Sequence, residues 1–149
     1  GRLVAWTFIA ETGGDMSQFH SAGHLSSWAG VAPAMHESAG RRRPVGARPG
    51  NRFLTSMLVE AAQSASRTKS TYLAAQFAHL ASRRGHNRAQ VAVAHSILVA
   101  AYWMLVRDEP YADLGPTWLT DRGAEQARTR RLVQQLQALG HTVVLDPAA

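Results

Sequence analysis

Residues Val91 to Val106 are apolar almost all the way round and are interrupted only by His95 and Ser96, and this run limits the available folds more than any other. Sixteen helical residues rise about 24 Å, short of the roughly 20 residues needed to cross a bilayer. The run therefore predicts a buried central helix rather than a membrane span, with His95 as a satisfied core histidine. A chain of 149 residues with 46% hydrophobic content can bury such a helix within one domain.

The flanking segments supply packing partners. Residues 2 to 12 predict a helix ended by Gly13-Gly14, which suit a left-handed C-terminal turn. Ser21 can cap a short helix through Trp28, with Leu25, Trp28 and Ala29 on one apolar face. From Gly30 to Gly50 no hydrophobic period survives. The prolines, glycines and four arginines there predict a loop of about twenty residues, longer than a compact domain normally keeps without a functional reason. Phe53, Met57, Ala61 and Ala65, beside Leu54, Leu58 and Ala62, then form the stripe of an amphipathic helix that begins near Asn51.

A further helix carries Tyr72, Leu73, Phe77 and Leu80, and the turn Arg83-Arg84-Gly85-His86-Asn87 leads into the central run. Residues 111 to 120 form a connector, Asp121 to Leu139 an exposed helix capped by Gly140, and residues 141 to 145 a β-prone tail that needs a partner strand. The expected fold class is all-α, mainly helical, with a long Gly/Pro/Arg loop carrying a serine and a short C-terminal β-prone segment. Residues 1–115 are expected to form the main domain, and residues 116–149 a C-terminal helix and strand-like tail.

Charge is segregated along the chain. The net charge is +6, but residues 38 to 107 hold eleven Arg or Lys and one acid, Glu60, which leaves +10 there and −4 elsewhere. Such a block favours a polyanion, since each neutralised phosphate releases counterions and gives binding that is long-range and salt-sensitive. Fifteen of the sixteen basic residues are Arg, which suits forked contacts to phosphate and guanine, although a GC-rich genome produces the same preference. No cysteine is present, which excludes disulfides and thiolate metal sites. That, with the absence of a signal or lipidation pattern, points to a cytoplasmic protein, and the initial glycine to a segment of a longer one.

Within the loop, Glu37-Ser38-Ala39-Gly40-Arg41-Arg42-Arg43 places one hydroxyl beside three guanidinium groups. A serine hydroxyl attacks phosphate only when nearby cations neutralise the phosphate oxygens and help it lose its proton. These seven residues alone leave two readings open, a nucleophile at Ser38 or a phosphate-contacting loop with a bystander serine. His36, two residues before Ser38, is a candidate proton acceptor. Arg41, Arg42, Arg43, Arg48 and Arg52 cluster around the serine and the start of the next helix, whose dipole attracts phosphate further. Arg83, Arg84 and Arg88, with His86 and Asn87, form a second basic patch.

Other chemistries are poorly served. Among seven histidines, only His20 and His24 have i,i+4 spacing, and His20 precedes the Ser21 cap, so no metal site is expected. A divalent-metal nuclease needs several converging carboxylates, and the basic region has one. The nucleophile-elbow pattern Gly-x-Ser-x-Gly is absent around Ser38.

An ordered set of short motifs runs through most of the chain: Asp15-Met16-Ser17-Gln18-Phe19, then His24 to Pro33, Glu37 to Arg43, Gly50-Asn51 with Leu58 to Ala62, and Thr68-Lys69 with Tyr72-Leu73. Arg83-Arg84-Gly85, Ala92 to Leu98, and Tyr111 with Asp113-Leu114-Gly115 complete it. Over about residues 1 to 145 this order resembles the C-terminal domain of insertion-sequence transposases that join a RuvC-like DEDD nuclease domain to a serine-bearing domain. The first helix resembles the second half of a helix-hairpin-helix following the nuclease domain. The resemblance implies a DNA recombinase in which Ser38 attacks the DNA backbone and forms a transient phosphoserine link. It implies DNA as partner, an element-encoded structured RNA as a second, a homo-oligomeric full-length form and no membrane. The divalent metal, expected to be Mg²⁺, belongs to the N-terminal domain that this segment lacks, and the segment alone is expected to be inactive.

With Asn51 and Lys69 from the matching motifs, the expected nucleic-acid-binding set is Arg41, Arg42, Arg43, Arg48, Asn51, Arg52, Lys69, Arg83, Arg84 and Arg88. Three positions depart from the pattern: Glu37 stands where many relatives have a second Ser, Ala39 where they have Gly, and Thr55 where some branches have Arg. The alternatives are a non-catalytic DNA- or RNA-binding module and a structural dimerisation domain built on the C-terminal helix.

Overall fold

The structure, a computed structural model, describes residues 1–33, 36–38, 41–43 and 49–145, with backbone only at 36–38 and 41–43. The described chain is mainly helical. In order it runs through α1 (Arg2–Thr12), a 3₁₀ turn (Met16–Gln18), α2 (Ala22–Ala29), β1 (His36–Ser38), β2 (Arg41–Arg43), α3 (Arg52–Ser66), α4 (Tyr72–Arg84), α5 (His86–Arg107) and α6 (Trp118–Ala138).

Local chemistry sets most of these boundaries. Gly13, at φ 71°, ends α1 in the left-handed conformation that favours glycine. The Ser21 hydroxyl accepts the His24 N–H at 3.1 Å, Asn51 Oδ1 accepts that of Leu54 at 3.0 Å, and Thr71 Oγ1 accepts that of Ala74 at 3.3 Å, each capping the helix that follows. The end of α6 is a Schellman turn: the Gly140 N–H bonds Gln137 and the His141 N–H bonds Leu136, with Gly140 at φ 87°.

The chain divides into two compact units, Gly1–Pro116 and Thr117–Ala149. In the first, α5 packs against α2, α3 and α4, and α1 packs on α3. Its core takes Leu25 and Ala29 from α2, Leu54, Leu58 and Ala62 from α3, and Val93, Ala94, Leu98 and Tyr102 from α5. Gln76 Nε2 donates to Ser96 Oγ at 2.9 Å between α4 and α5, and the Tyr102 hydroxyl donates to the Phe19 carbonyl at 3.3 Å. In the second unit α6 has no buried residue, and Arg122 lies over the Trp118 ring at 5.0 Å.

Several expectations change. α5 has 22 residues, not sixteen, because Gly85 alone separates it from α4 and the mostly polar residues 86–90 are already helical. At 1.5 Å per residue it is long enough to cross a membrane, and its length does not distinguish a core helix from a span. What places α5 in the domain is packing, since Ala89, Val93, Ala94, Leu98 and Tyr102 are buried. His95 is half-buried, and that burial holds its imidazole below the usual pKa, favouring the neutral form.

α6 begins at Trp118, three residues before the expected Asp121. The tail at 141–145 forms no strand; its β propensity meets no partner ladder among the described residues, and propensity alone does not make a strand. The apolar stripes were also drawn too wide. Leu54, Leu58 and Ala62 are buried on α3 but Phe53 is 74% exposed, and on α2 Trp28 is 38% exposed beside buried Leu25 and Ala29.

The connector after α5 is tied back to α4. Asp113 Oδ1 accepts the N–H of Tyr72 at 3.0 Å and that of Gly115 at 2.8 Å, while Oδ2 accepts the Tyr111 hydroxyl at 3.2 Å. The Tyr72 N–H is the main cause that holds this carboxyl below its ordinary value of 3.8. Tyr111 is pushed up to about 12, first by burial and then by the Asp113 charge. Asp113→Ala should lower the thermal midpoint by roughly 3–5 °C at neutral pH. A carboxyl with a depressed folded pKa contributes fully above 3.8 and loses that contribution as pH falls through the lower folded value. Melts of wild type and variant should therefore converge in strongly acidic buffer.

Candidate nucleic-acid site around the serine ribbon

The segment expected as an aperiodic loop contains an antiparallel ribbon. β1 pairs with β2 in the register His36↔Arg43, Glu37↔Arg42 and Ser38↔Arg41. Three-residue strands are too short to show an alternating pattern, and the surrounding Pro and Gly read as breakers, which is why the sequence hid them. The register makes the serine position a cross-strand partner of the first arginine. His36 and Ser38 stand two positions apart in one regular strand. Arg48 lies outside the described residues, as do the side chains of Ser38 and Arg41–Arg43.

The two ends of this segment are clamped together. The Asn51 N–H donates to the Trp28 carbonyl at 3.3 Å, and the Thr55 hydroxyl donates to the Ala29 carbonyl at 2.5 Å. On the outgoing side, the N–H groups of Val31 and Ala32 bond to the Ser26 carbonyl at 3.0 and 3.1 Å. Gly50 lies so close to the Gly30 backbone that a Cβ there would stand 2.4 Å from the Gly30 nitrogen. These contacts fix where the ribbon leaves and re-enters the helical body. They also give Thr55, which departs from the transposase pattern, a partner inside the protein.

Asn51 is similarly occupied: Oδ1 caps α3 at Leu54, and Nδ2 donates to Glu11 Oε2, which ties α1 to α3. Arg52 is exposed in the first turn of α3. Arg83 and Arg84, in the last turn of α4, and Arg88, in the first turn of α5, come together at one corner and are all exposed. Arg83 approaches the His79 ring nitrogen at 3.4 Å. Lys69 is exposed before the start of α4, so the 13 residues of that helix, about 20 Å of rise, separate it from the Arg83 corner.

Among the described residues no group of three or more His, Cys, Asp or Glu could hold a metal ion. The His20 and His24 rings nonetheless meet, stacked with centroids 5.3 Å apart. This contact and the exposed Trp28 and Phe53 were missed; the available signal was a row of ring residues, His20, His24 and Trp28, at i,i+4 spacing.

The family model described as "Transposase IS116/IS110/IS902 family" matches residues 1–79, which run from α1 through the ribbon into α4. The chain belongs to this transposase family. It is 34% identical over 119 residues to the transposase for insertion sequence element IS1111A of Coxiella burnetii (strain RSA 493 / Nine Mile phase I), covering 74% of this chain and 31% of that relative. The chain thus spans under a third of that transposase. No solved structure matches it. The family match contains the ribbon, the clamp beneath it and Arg52, while Arg83, Arg84 and Arg88 lie beyond it.

Proposed function

We propose that this chain is the serine-bearing C-terminal portion of a transposase, in which Ser38 attacks the DNA backbone and the surrounding cations hold the DNA. The observation that carries this reading is the ribbon register, which sets Ser38 opposite Arg41 within the family-matched stretch. In the proposed step the Ser38 hydroxyl loses its proton and its oxygen bonds to phosphorus. The bond from phosphorus to the departing nucleoside oxygen breaks, and that oxygen takes up a proton. A hydroxyl of the incoming strand then displaces the serine, so the phosphodiester is conserved without an external energy source. Arg41, Arg42 and Arg43 balance charge on the phosphate oxygens as it grows.

Among the described residues no group of three or more His, Cys, Asp or Glu could hold a divalent metal. In this reading the ion is held by a RuvC-like DEDD domain outside this chain, and the complete site is shared between domains and protomers. Residues 1–115 are the serine domain and residues 116–149 an appended helix and tail. Recognition of an element-encoded RNA belongs to the same proposal.

Arg52 and the corner formed by Arg83, Arg84 and Arg88 carry the DNA path, with Lys69 as a separate contact. Asn51 acts through the clamp, by holding the start of α3. Duplex affinity should fall steeply with salt, and replacing Arg83, Arg84 and Arg88 together by Ala should reduce the slope of log K against log[salt] by about 3. Fluorescence anisotropy over a salt series measures it. An unchanged slope would remove that corner from the path, and absence of binding would favour a dimerisation role instead.

A further inference from the structure

The exposed side of α2, together with the residue just before its Ser21 cap, carries rings where a helix surface ordinarily carries solvated polar groups. His20 and His24 are exposed and stacked, their planes 19° apart, and Trp28, one turn further on, is 38% exposed. Beneath them Phe19 is buried, meeting His24 edge-on at 5.8 Å and Trp28 at 5.5 Å. The Phe19 carbonyl is held by the buried Tyr102 hydroxyl at 3.3 Å, so the row rests on the core and is preorganised. Across the Asn51 N–H to Trp28 carbonyl bond, α3 opens with exposed Arg52 and with Phe53, 74% exposed.

We propose that this ring row, from His20 and His24 through Trp28 to Phe53, is a stacking site for unpaired nucleobases at the foot of the serine ribbon. Flat aromatic faces accept any base, and a nearby Arg contacts the phosphate that joins successive bases. A duplex hides its base faces in its own stack, so the occupant is a strand with free bases. The imidazoles and Arg52 suit a nucleic acid better than an apolar protein patch, and the +10 charge of residues 38 to 107 complements it. Glu11, the acid that reaches the start of α3, is engaged by Asn51. The proposal rests on the nucleic-acid reading above.

The test uses this chain, a fluorescent mixed-sequence single strand of DNA, the same strand as RNA, and an abasic DNA strand of equal length. Wild type should bind the base-bearing strands about tenfold more tightly than the abasic one. The double variant His20→Ala/His24→Ala, and separately Phe53→Ala, should each remove several-fold of that preference while leaving abasic affinity unchanged. His24→Phe, which keeps a ring but carries no charge, should retain it. The larger loss, on DNA or on RNA, names the natural strand. Thermal melts report the fold, and Phe53 is exposed enough that its removal leaves the core intact. Equal affinity for base-bearing and abasic strands, or variants that bind like wild type, would overturn the stacking site while phosphate binding stands. No binding to any strand would overturn both readings.

Discussion

Ser38→Ala in the full-length transposase should abolish recombination while DNA binding persists. Removing a nucleophile that acts together with its activating groups costs on the order of 10⁶ in rate in enzymes where this has been dissected, so the expected result is loss of signal, not attenuation. A hydroxyl that merely contacted phosphate would cost about one hydrogen bond, roughly tenfold or less. That gap makes the experiment decisive. Two readouts are needed: recombination frequency, and the protein–DNA adduct that survives denaturation if a phosphoserine link forms. Both should vanish in the variant, with the salt-dependent affinity for duplex retained. Recombination that survives the substitution refutes Ser38 as the nucleophile.

The second large effect concerns stability. Gly50→Ala would place a Cβ 2.4 Å from the Gly30 nitrogen and 2.5 Å from both the Ala29 carbonyl carbon and the Gly30 Cα. All three are backbone atoms, so no side chain can rotate out of the way. Either the Asn51 to Trp28 hydrogen bond opens or the ends of α2 and α3 move apart, and the Thr55 bond to Ala29 is strained in both cases. The cost should be about 3 kcal/mol, at the upper end for forced overpacking, which in a domain of this size lowers the thermal midpoint on the order of 10 °C. Gly23→Ala is the control, since its added Cβ would meet nothing closer than the Ser21 hydroxyl at 3.6 Å. Equal melting of the two variants would show that the clamp is not rigid.

The helical fold was legible in the sequence because its signals are local. Gly13, Ser21, Asn51 and Gly140 each act within three or four residues, and the buried faces of α3 and α5 repeat at the helical period. The limits of that legibility are equally physical. The period identifies an apolar side but not its width, so Phe53 and Trp28 were counted with the core although both are substantially exposed. The polar residues His86, Asn87, Arg88 and Gln90 hid the first turns of α5, because hydrophobicity marks burial and not helicity. The candidate site could be named from the sequence in kind, a serine beside arginines, but not in geometry. Nothing in residues 30 to 50 announced a ribbon or a register.

By itself, then, the sequence determined the helix caps, the central apolar helix, the basic block and the order of motifs that marks the transposase family, since all of these are properties of neighbours along the chain. Only the tertiary structure decided which distant residues meet: Asn51 with Glu11, Asp113 with Tyr72, Gly50 against Gly30. Such contacts depend on how segments far apart in the chain pack against one another, which no local pattern encodes. The same packing gives Asn51, expected from its motif to meet nucleic acid, and Thr55, which stands where some branches have Arg, partners within the protein at the clamp.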